Sequence, residues 1–375
     1  MAKTLHEHFG YLSDRVKLDR YAEAIGKAVK QGQVVLDLGC GTGVLGLMAL
    51  RAGADRVYFL DEGPVIEIAR RTVSNAGFVD RAEFLNENSF RVALPERVDV
   101  VICDHVGCFG FDYGALETLV DAKDRFLKPG GLIVPASITL MLAPVDSDYC
   151  RALVGQWLDR VPAEYRWVAE SAANTKHLVE HNPDAVVAEP VTLGSLVLGD
   201  DAAPYYSWKA SFRATRDSDL DGIAGWFECR LFDDVTMTNS PLADERMNRP
   251  QAFLPLGESV AVSKGDPIEV TIMARPADNV IGWIVDLPSL GRKFAHNTFN
   301  GLQLDEDMLA RVRVDRVAKL NDQGRARQIV FTYCDGQRTV AEVLALVERE
   351  HPDLFPSAQA TVSFVRSVLA KDTGR

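Results

Sequence analysis

No Cys-x-x-Cys pair occurs in this chain, although six cysteines (40, 103, 108, 150, 229 and 334) are spread along its 375 residues. Thiols scattered in this way form neither a disulfide framework nor a zinc site, and they point to a reducing, cytoplasmic setting. A GxxxxGK[ST] phosphate loop and the GxGxxG of dinucleotide folds are also missing. Positive charge is in short supply: 41 Lys and Arg face 53 Asp and Glu, a net of −12. That balance argues against a nucleic-acid partner, because phosphate binding wants a basic face. The longest apolar stretch, 131–145, is cut by Pro135 and Pro144 and is too short to span a bilayer. The first eleven residues hold charges and histidines where a signal peptide has an apolar core, so no membrane partner is expected. Repeats and low-complexity tracts are absent. With 47% hydrophobic residues, the chain can build two or three domains with sizeable cores.

The most informative stretch is Val34-Val35-Leu36-Asp37-Leu38-Gly39-Cys40-Gly41-Thr42-Gly43, followed later by Asp61. Three apolar residues without alternation read as a buried parallel strand that stops at glycines. Residues 45–52 read as a helix and 57–60 as a second strand ending in Asp61, where a carboxylate can accept from both hydroxyls of a ribose. Strand, glycine turn, helix, strand and acid form the nucleoside-binding half of a doubly wound α/β sheet. An adenosine without a pyrophosphate fits that half, and S-adenosyl-L-methionine is the cofactor expected.

Residues 1 to about 30 read as helix, with Leu18, Tyr21, Ile25 and Val29 on one face. From 34 to about 140 strands and helices alternate, ending at a turn over 126–131 and a strand at 132–134; this predicts a mainly parallel sheet covered on both faces. Short alternating runs then follow (139–143, 207–214, 227–232, 268–274, 282–286), as in an antiparallel barrel or sandwich. A more helical insert spans about 149–181, with Trp157, Tyr165 and Trp167. Residues 339–350 and 358–371 are patterned helices, the first with Thr339 as its N-cap.

In this order the first 300 or so residues resemble the protein arginine methyltransferases. His8-Phe9-Gly10 and Leu12-x-Asp14-x-x-Lys17-x-x-x-Tyr21-x-x-Ala24-Ile25 resemble that family's N-terminal helix, which folds over the cofactor. Gly225-Trp226-Phe227-Glu228, Asn239-Ser240-Pro241 and Gly265-Asp266-x-Ile268 resemble its barrel motifs. The resemblance implies a Rossmann-like class I methyltransferase domain (1–135), a β-barrel domain with a dimerisation arm (136–304, arm about 149–181) and a head-to-tail homodimer. It places the cofactor among Asp14, Lys17, Asp37, Gly39, Gly41, Thr42, Gly43, Asp61, Asn88 and Ser89. Lys17 stands where the family has arginine, so the methionine carboxylate would meet a point charge instead of a fork.

The acceptor motifs differ. The family's loop after the fourth strand carries two glutamates that clasp a guanidinium; here it reads Cys103-Asp104-His105-Val106-Gly107-Cys108-Phe109-Gly110-Phe111-Asp112-Tyr113. Asp104 replaces the first glutamate, while Tyr113, beside Asp112, falls on the second. The family's Thr-His-Trp falls on Met247-Asn248-Arg249. A guanidinium is recognised by a paired, bidentate clamp, and one shortened acid with a phenol does not rebuild it. An amine acceptor is the expectation instead: Asp104 holds an ammonium, His105 accepts its proton, and Tyr113 donates to a carbonyl or packs on the methylated product. Asp112 and Asn248 are candidate substrate contacts. His105 as a loop-packing residue and Asp112 as a solvated loop acid are the plainer readings of the same positions, and both stay open.

The tail adds a second resemblance. Leu320-Asn321-x-x-Gly324-Arg325, Tyr333-Cys334-Asp335-Gly336-x-Arg338-Thr339-Val340-Ala341-Glu342-Val343 and a helix ending near Leu369 resemble the precursor-peptide recognition module of ribosomally made natural products. That resemblance implies a winged-helix-like unit (305–375) in which a leader peptide adds to a sheet edge, with a short strand at 310–314. Together these readings give an S-adenosylmethionine-dependent N-methyltransferase acting on an amine of a precursor peptide. Methylation of arginine, free or in a peptide, a silent binding partner, and O- or C-methylation of a small molecule are the alternatives.

Overall fold

The computed structural model describes residues 2–110, 112–200, 203–302, 310 and 313–373. It divides into two compact units, Met1–Gln303 and Leu304–Arg375.

The first unit begins with two helices, α1 (Ala2–Ser13) and α2 (Arg15–Ala28), where the sequence suggested one. Asp14 makes the break: it leaves helical geometry and its carboxylate accepts from the Lys17 backbone N–H at 3.1 Å, as an N-cap does. Downstream, α2 buries Lys17, Tyr21, Ala24, Ile25 and Ala28, one face at helical spacing.

A five-stranded parallel sheet follows, built from β1 (Val34–Leu38), β2 (Arg56–Leu60), β3 (Ala82–Leu85), β4 (Val98–Ile102) and β5 (Leu127–Val134) in the order β3-β2-β1-β4-β5. Every residue of β1 is buried, because helices α3 (Val44–Ala52), α4 (Ile66–Asn75) and α5 (Ala115–Phe126) cover the sheet. The turn expected at 126–131 is absorbed into β5, which starts at Leu127 and carries Pro129-Gly130-Gly131 as a bulge between its pairings with Val98 and Val100. The strand order reverses between β1 and β4, so the crevice for a ligand opens beyond the carboxyl ends of those two strands.

Two antiparallel sheets make the second half of this unit. One joins β6 (Ser137–Val145), β7 (His177–Val179), β8 (Val191–Val197), β10 (Ser218–Phe232), β11 (Val235–Thr238) and β12 (Gln251–Val262). The other joins β9 (Tyr206–Arg213), β13 (Pro267–Arg275), β14 (Val280–Leu287) and β15 (Arg292–Asn297). Between β6 and β7 lies the helical insert, α6 (Asp148–Asp159) and α7 (Val168–Ala173). Trp226 and Trp283 anchor this half and are buried to 1% and 0% exposure, while Trp167, Tyr165 and Tyr149 on the insert stay exposed.

The second unit holds α8 (Asp322–Thr332), α9 (Val340–Glu350) and α10 (Ala358–Asp372) around Val330, Val343, Val347, Val365 and Val368. Thr339 and Glu342 form a full capping box on α9, each side chain bonded to the other's backbone N–H. Residues 313–320 carry no strand, and positions 311 and 312 lie outside the described residues. Among the described residues, then, this unit is three helices without the sheet edge that a winged-helix reading implies. No described helix of the chain is long and apolar enough to cross a membrane.

Candidate active site

Gly39 leaves β1 with φ 70°, and a Cβ there would meet the His105 ring at 2.6 Å. Only glycine allows both the left-handed turn and that approach. His8 of α1 stands over the neighbouring Gly41, 3.0 Å from where its Cβ would be. The glycine turn is therefore flanked by two imidazoles, one from the N-terminal helix and one from the loop after β4.

Asp61, at the end of β2, accepts from the Gly41 N–H (2.8 Å) and the Gly63 N–H (2.7 Å) and so fixes the turn itself. Asp37 accepts from the Gly46 N–H at 2.7 Å. Burial pushes the Asp37 carboxyl up to about 7, against the Gly46 N–H and with the charges of Asp61 and Asp104 adding to it. Thr42 and Gly43 complete the turn, with Gly43 as the N-cap of α3. Asn88 caps Phe90 N–H at 3.1 Å and donates to Glu62 at 2.9 Å, while the Ser89 carbonyl accepts from Arg125.

On the β4 side, Asp104 follows the strand end and gathers three partners. Lys17 Nζ donates to Oδ2 at 2.9 Å and Arg249 Nη2 to the two oxygens at 3.4 and 3.3 Å, while the Tyr21 O–H is shared between Oδ1 at 3.3 Å and the nearer Cys103 carbonyl at 3.0 Å. Arg249 is tied further by Nη1 to the Gly107 carbonyl at 3.0 Å. Burial by itself would raise the Asp104 carboxyl, but the Arg249 guanidinium and the Lys17 ammonium outweigh it and hold it below the usual carboxylate range. Tyr21 is pushed well above an ordinary phenol by burial and by Asp104, so it stays an O–H donor. Two buried cations thus face one acid. The sequence suggests an Asp104 free for a substrate ammonium; in the structure the chain's own cations occupy it.

Asp112 departs from expectation more sharply. At 3% exposure it accepts from the Cys108 N–H (2.7 Å) and Phe109 N–H (2.8 Å) and pairs with Lys176. Its side chain fills the space where a Cβ on Gly107 would sit, so it is built into the loop with its oxygens spent there and is not a solvated acid. Phe109 packs on Gly225 of β10 and Asn239 Nδ2 donates to the Cys108 carbonyl at 3.0 Å, which fastens the loop to the antiparallel half. His105 is exposed. Asn248 meets the site through its backbone: its N–H donates to Asp14 Oδ2 at 2.8 Å and ties the second half to α2. The side chain of Tyr113 lies outside the described residues. Sequence reasoning missed Arg249 as a partner of Asp104 and missed Lys176 altogether; an arginine on an aromatic position of the family was the signal for the first.

A methyl donor of the expected kind fits these residues. A left-handed glycine turn that admits no Cβ, a carboxylate at the end of β2 and a buried ammonium on α2 supply, in turn, close backbone approach, diol acceptors and a counter-charge for a carboxylate.

Comparison with known proteins agrees. A family model described as "Methyltransferase domain" matches residues 35–131. Protein arginine N-methyltransferase 6 of Xenopus laevis is 28% identical over 291 residues, 73% of this chain and 84% of the frog protein. Protein arginine N-methyltransferase 1 of Chlamydomonas reinhardtii is 28% identical over 287 residues, 72% of this chain and 82% of the algal one. Among solved structures, protein arginine methyltransferase 10 of Arabidopsis thaliana superposes with a TM-score of 0.67 at 20% identity, covering 78% of this chain and 98% of that one. The Trypanosoma brucei PRMT1 enzyme–prozyme complex with AdoHcy gives 0.68 at 18%, covering 77% and 96%. The sheet order and glycine turn, with these matches, define an S-adenosylmethionine-dependent class I methyltransferase. Over about three quarters of its length the chain is similar to protein arginine methyltransferases in sequence and shares their fold, the antiparallel half included.

Proposed function

We propose that this enzyme methylates an amine nitrogen, with residues 1–135 binding the cofactor and 136–304 receiving the acceptor. One observation carries the reading: Asp104 is matched by two buried cations, Lys17 and Arg249. A site with surplus positive charge disfavours protonated acceptors and favours those that give up a proton. A primary amine, pKa about 10, yields its lone pair far more readily than a guanidinium above about 12. The bound sulfonium supplies the methyl group. In this reading Lys17 and Asp14 hold the methionine end, Asp61 the ribose, and Asn88 and Ser89 flank the adenine. His105, exposed beside Gly39, accepts the acceptor's proton, and Asp104 orients the nitrogen through the groups already bonded to it. Tyr113 remains a proposed catalytic residue on its sequence position alone.

The acceptor we propose is a ribosomally made precursor peptide, on the strength of the sequence at 320–343. Residues 305–375 are its proposed docking module. A homodimer through the insert agrees with the exposed Tyr149, Tyr165 and Trp167, and a reducing cytoplasm agrees with free thiols throughout. The test is to supply S-adenosylmethionine and peptides encoded beside the gene, then locate added methyl groups by tandem mass spectrometry. Methyl groups on lysine or an N-terminal amine support the reading, and unmodified peptides throughout refute it.

A second reading, methylation of arginine, is favoured by the curated relatives, which carry that activity in their names across most of their length. Methylarginine in hydrolysed product would decide for it.

A further inference from the structure

We infer that Arg249 is the acceptor-side specificity determinant, selecting an amine that carries a carboxylate beside it and turning away a guanidinium. The inference rests on the amine reading above and names the substrate class within it.

The guanidinium already seated on Asp104 belongs to the chain. Arg249 Nη2 reaches both Asp104 oxygens, and its side chain is only 11% exposed. Oδ2 is shared with Lys17 and Oδ1 with Tyr21, so no pair of oxygens is left in the plane for an incoming bidentate fork. An external arginine must either displace Arg249 or enter without a counter-charge.

Arg249 still has donors to give. A guanidinium carries five N–H groups, and among the described residues nothing accepts from Nε. Beside it opens a cavity of about 180 Å³ lined by Glu180, His181, Arg246, Asn248, Arg249 and Gln251. The Gln251 amide is spent on Asn239, Arg249 and His181. Arg246 uses one nitrogen on the Pro241 carbonyl, and the Asn248 side chain has no described partner. Burial pushes His181 down to about 4, so it is neutral. The lining sets two guanidinium groups, one of them already paired with Asp104, against one exposed carboxylate, Glu180, and keeps unspent donors on Arg246, Asn248 and Arg249. A carboxylate matches that lining through charge-assisted hydrogen bonds, and its position next to Arg249 places it beside the acceptor nitrogen.

Three pentapeptides test this: a central lysine flanked by glutamate, the same lysine flanked by glutamine, and a central arginine flanked by glutamine. Binding is measured by calorimetry on the full chain loaded with S-adenosylhomocysteine, and methyl transfer separately with S-adenosylmethionine. The glutamate-flanked peptide should bind about tenfold tighter than the glutamine-flanked one, the worth of one charge-assisted contact, and the arginine peptide weakest. Arg249→Gln should bring the two lysine peptides to within about twofold of each other, and Arg249→Lys should keep part of the preference. S-adenosylhomocysteine binding by each variant reports an intact fold. Equal affinities in the wild type, tightest binding of the arginine peptide, or a preference that survives Arg249→Gln overturns the inference. Failure of methyl transfer with the affinity pattern intact counts against the amine reading and leaves this one standing.

Discussion

Two edges of one crevice are built on opposite principles. At the end of β1 and β2 the polar groups are arranged by backbone: Asp61 fastens Gly41 and Gly63, and Gly39 and Gly43 carry turns that keep side chains away. At the end of β4 they are arranged by charge, with Asp104 inside Lys17, Tyr21 and Arg249 and Asp112 against Lys176. The first edge keeps its shape whatever sits in it. The second has its acids already paired from within, so whatever binds there must exchange partners with the protein. In the proposed reading, the charged edge is the one that sets what the enzyme accepts.

Substitutions can break this contrast. The largest effect is expected at Asp61→Ala, which removes the turn's fastening and the proposed ribose acceptor together. S-adenosylhomocysteine affinity should fall about 100-fold by calorimetry, the value of two charge-assisted bonds. Asp104→Asn should spare that affinity more than Asp61→Ala does, yet cost about 2 kcal/mol in urea unfolding, because it strands two cations, with a discount for the part of Asp104 that water reaches. A loss under 0.5 kcal/mol would show that the cations do not depend on it. The stabilisation from Asp104 has a defined pH window. Its carboxyl is held low in the fold, so the contribution is complete above the unfolded value near ~3.9 and is lost as pH falls through the folded one.

Asp37 runs the other way. Its folded carboxyl is raised to about 7 from an ordinary 3.8, so the native state holds the extra proton and stability falls as pH rises between those values. Asp37→Asn keeps an acceptor for the Gly46 N–H. It should flatten that slope in unfolding experiments from pH 4 to 8, and an unchanged slope would remove Asp37 as its source. The smallest effect belongs to the separate C-terminal unit. Thr339→Ala breaks one half of the capping box and should cost about 1 kcal/mol there, seen as faster amide exchange along α9 with cofactor affinity unmoved.

The same contrast explains what could be read in the sequence. Val34–Leu38, its glycines and the acid at 61 announce themselves because backbone turns and buried strands leave fixed local spacings. The alternating runs of the antiparallel half and the Thr339 cap were legible for the same reason. The break at Asp14 was less so: its carboxylate serves a backbone N–H three residues on, and the apolar face of α2 alone does not show where the helix starts. The pairings at Asp104 and Asp112 were not readable at all. Arg249 comes from 145 residues further on and Lys176 from the insert, and no local pattern encodes which distant cation closes on which acid. In the sequence Asp112 reads as a substrate contact or a solvated loop acid, and only the turn over Gly107–Phe109 shows that its oxygens are spent on the loop.

The most direct measurement is a crystal structure of the S-adenosylhomocysteine complex, read at Asp104. The account predicts Arg249 still seated on that carboxylate, with Asp112 still turned into its loop and Lys17 shared toward the ligand's carboxylate. Arg249 swung clear, with Asp104 and Asp112 both facing an open acceptor slot, would contradict it.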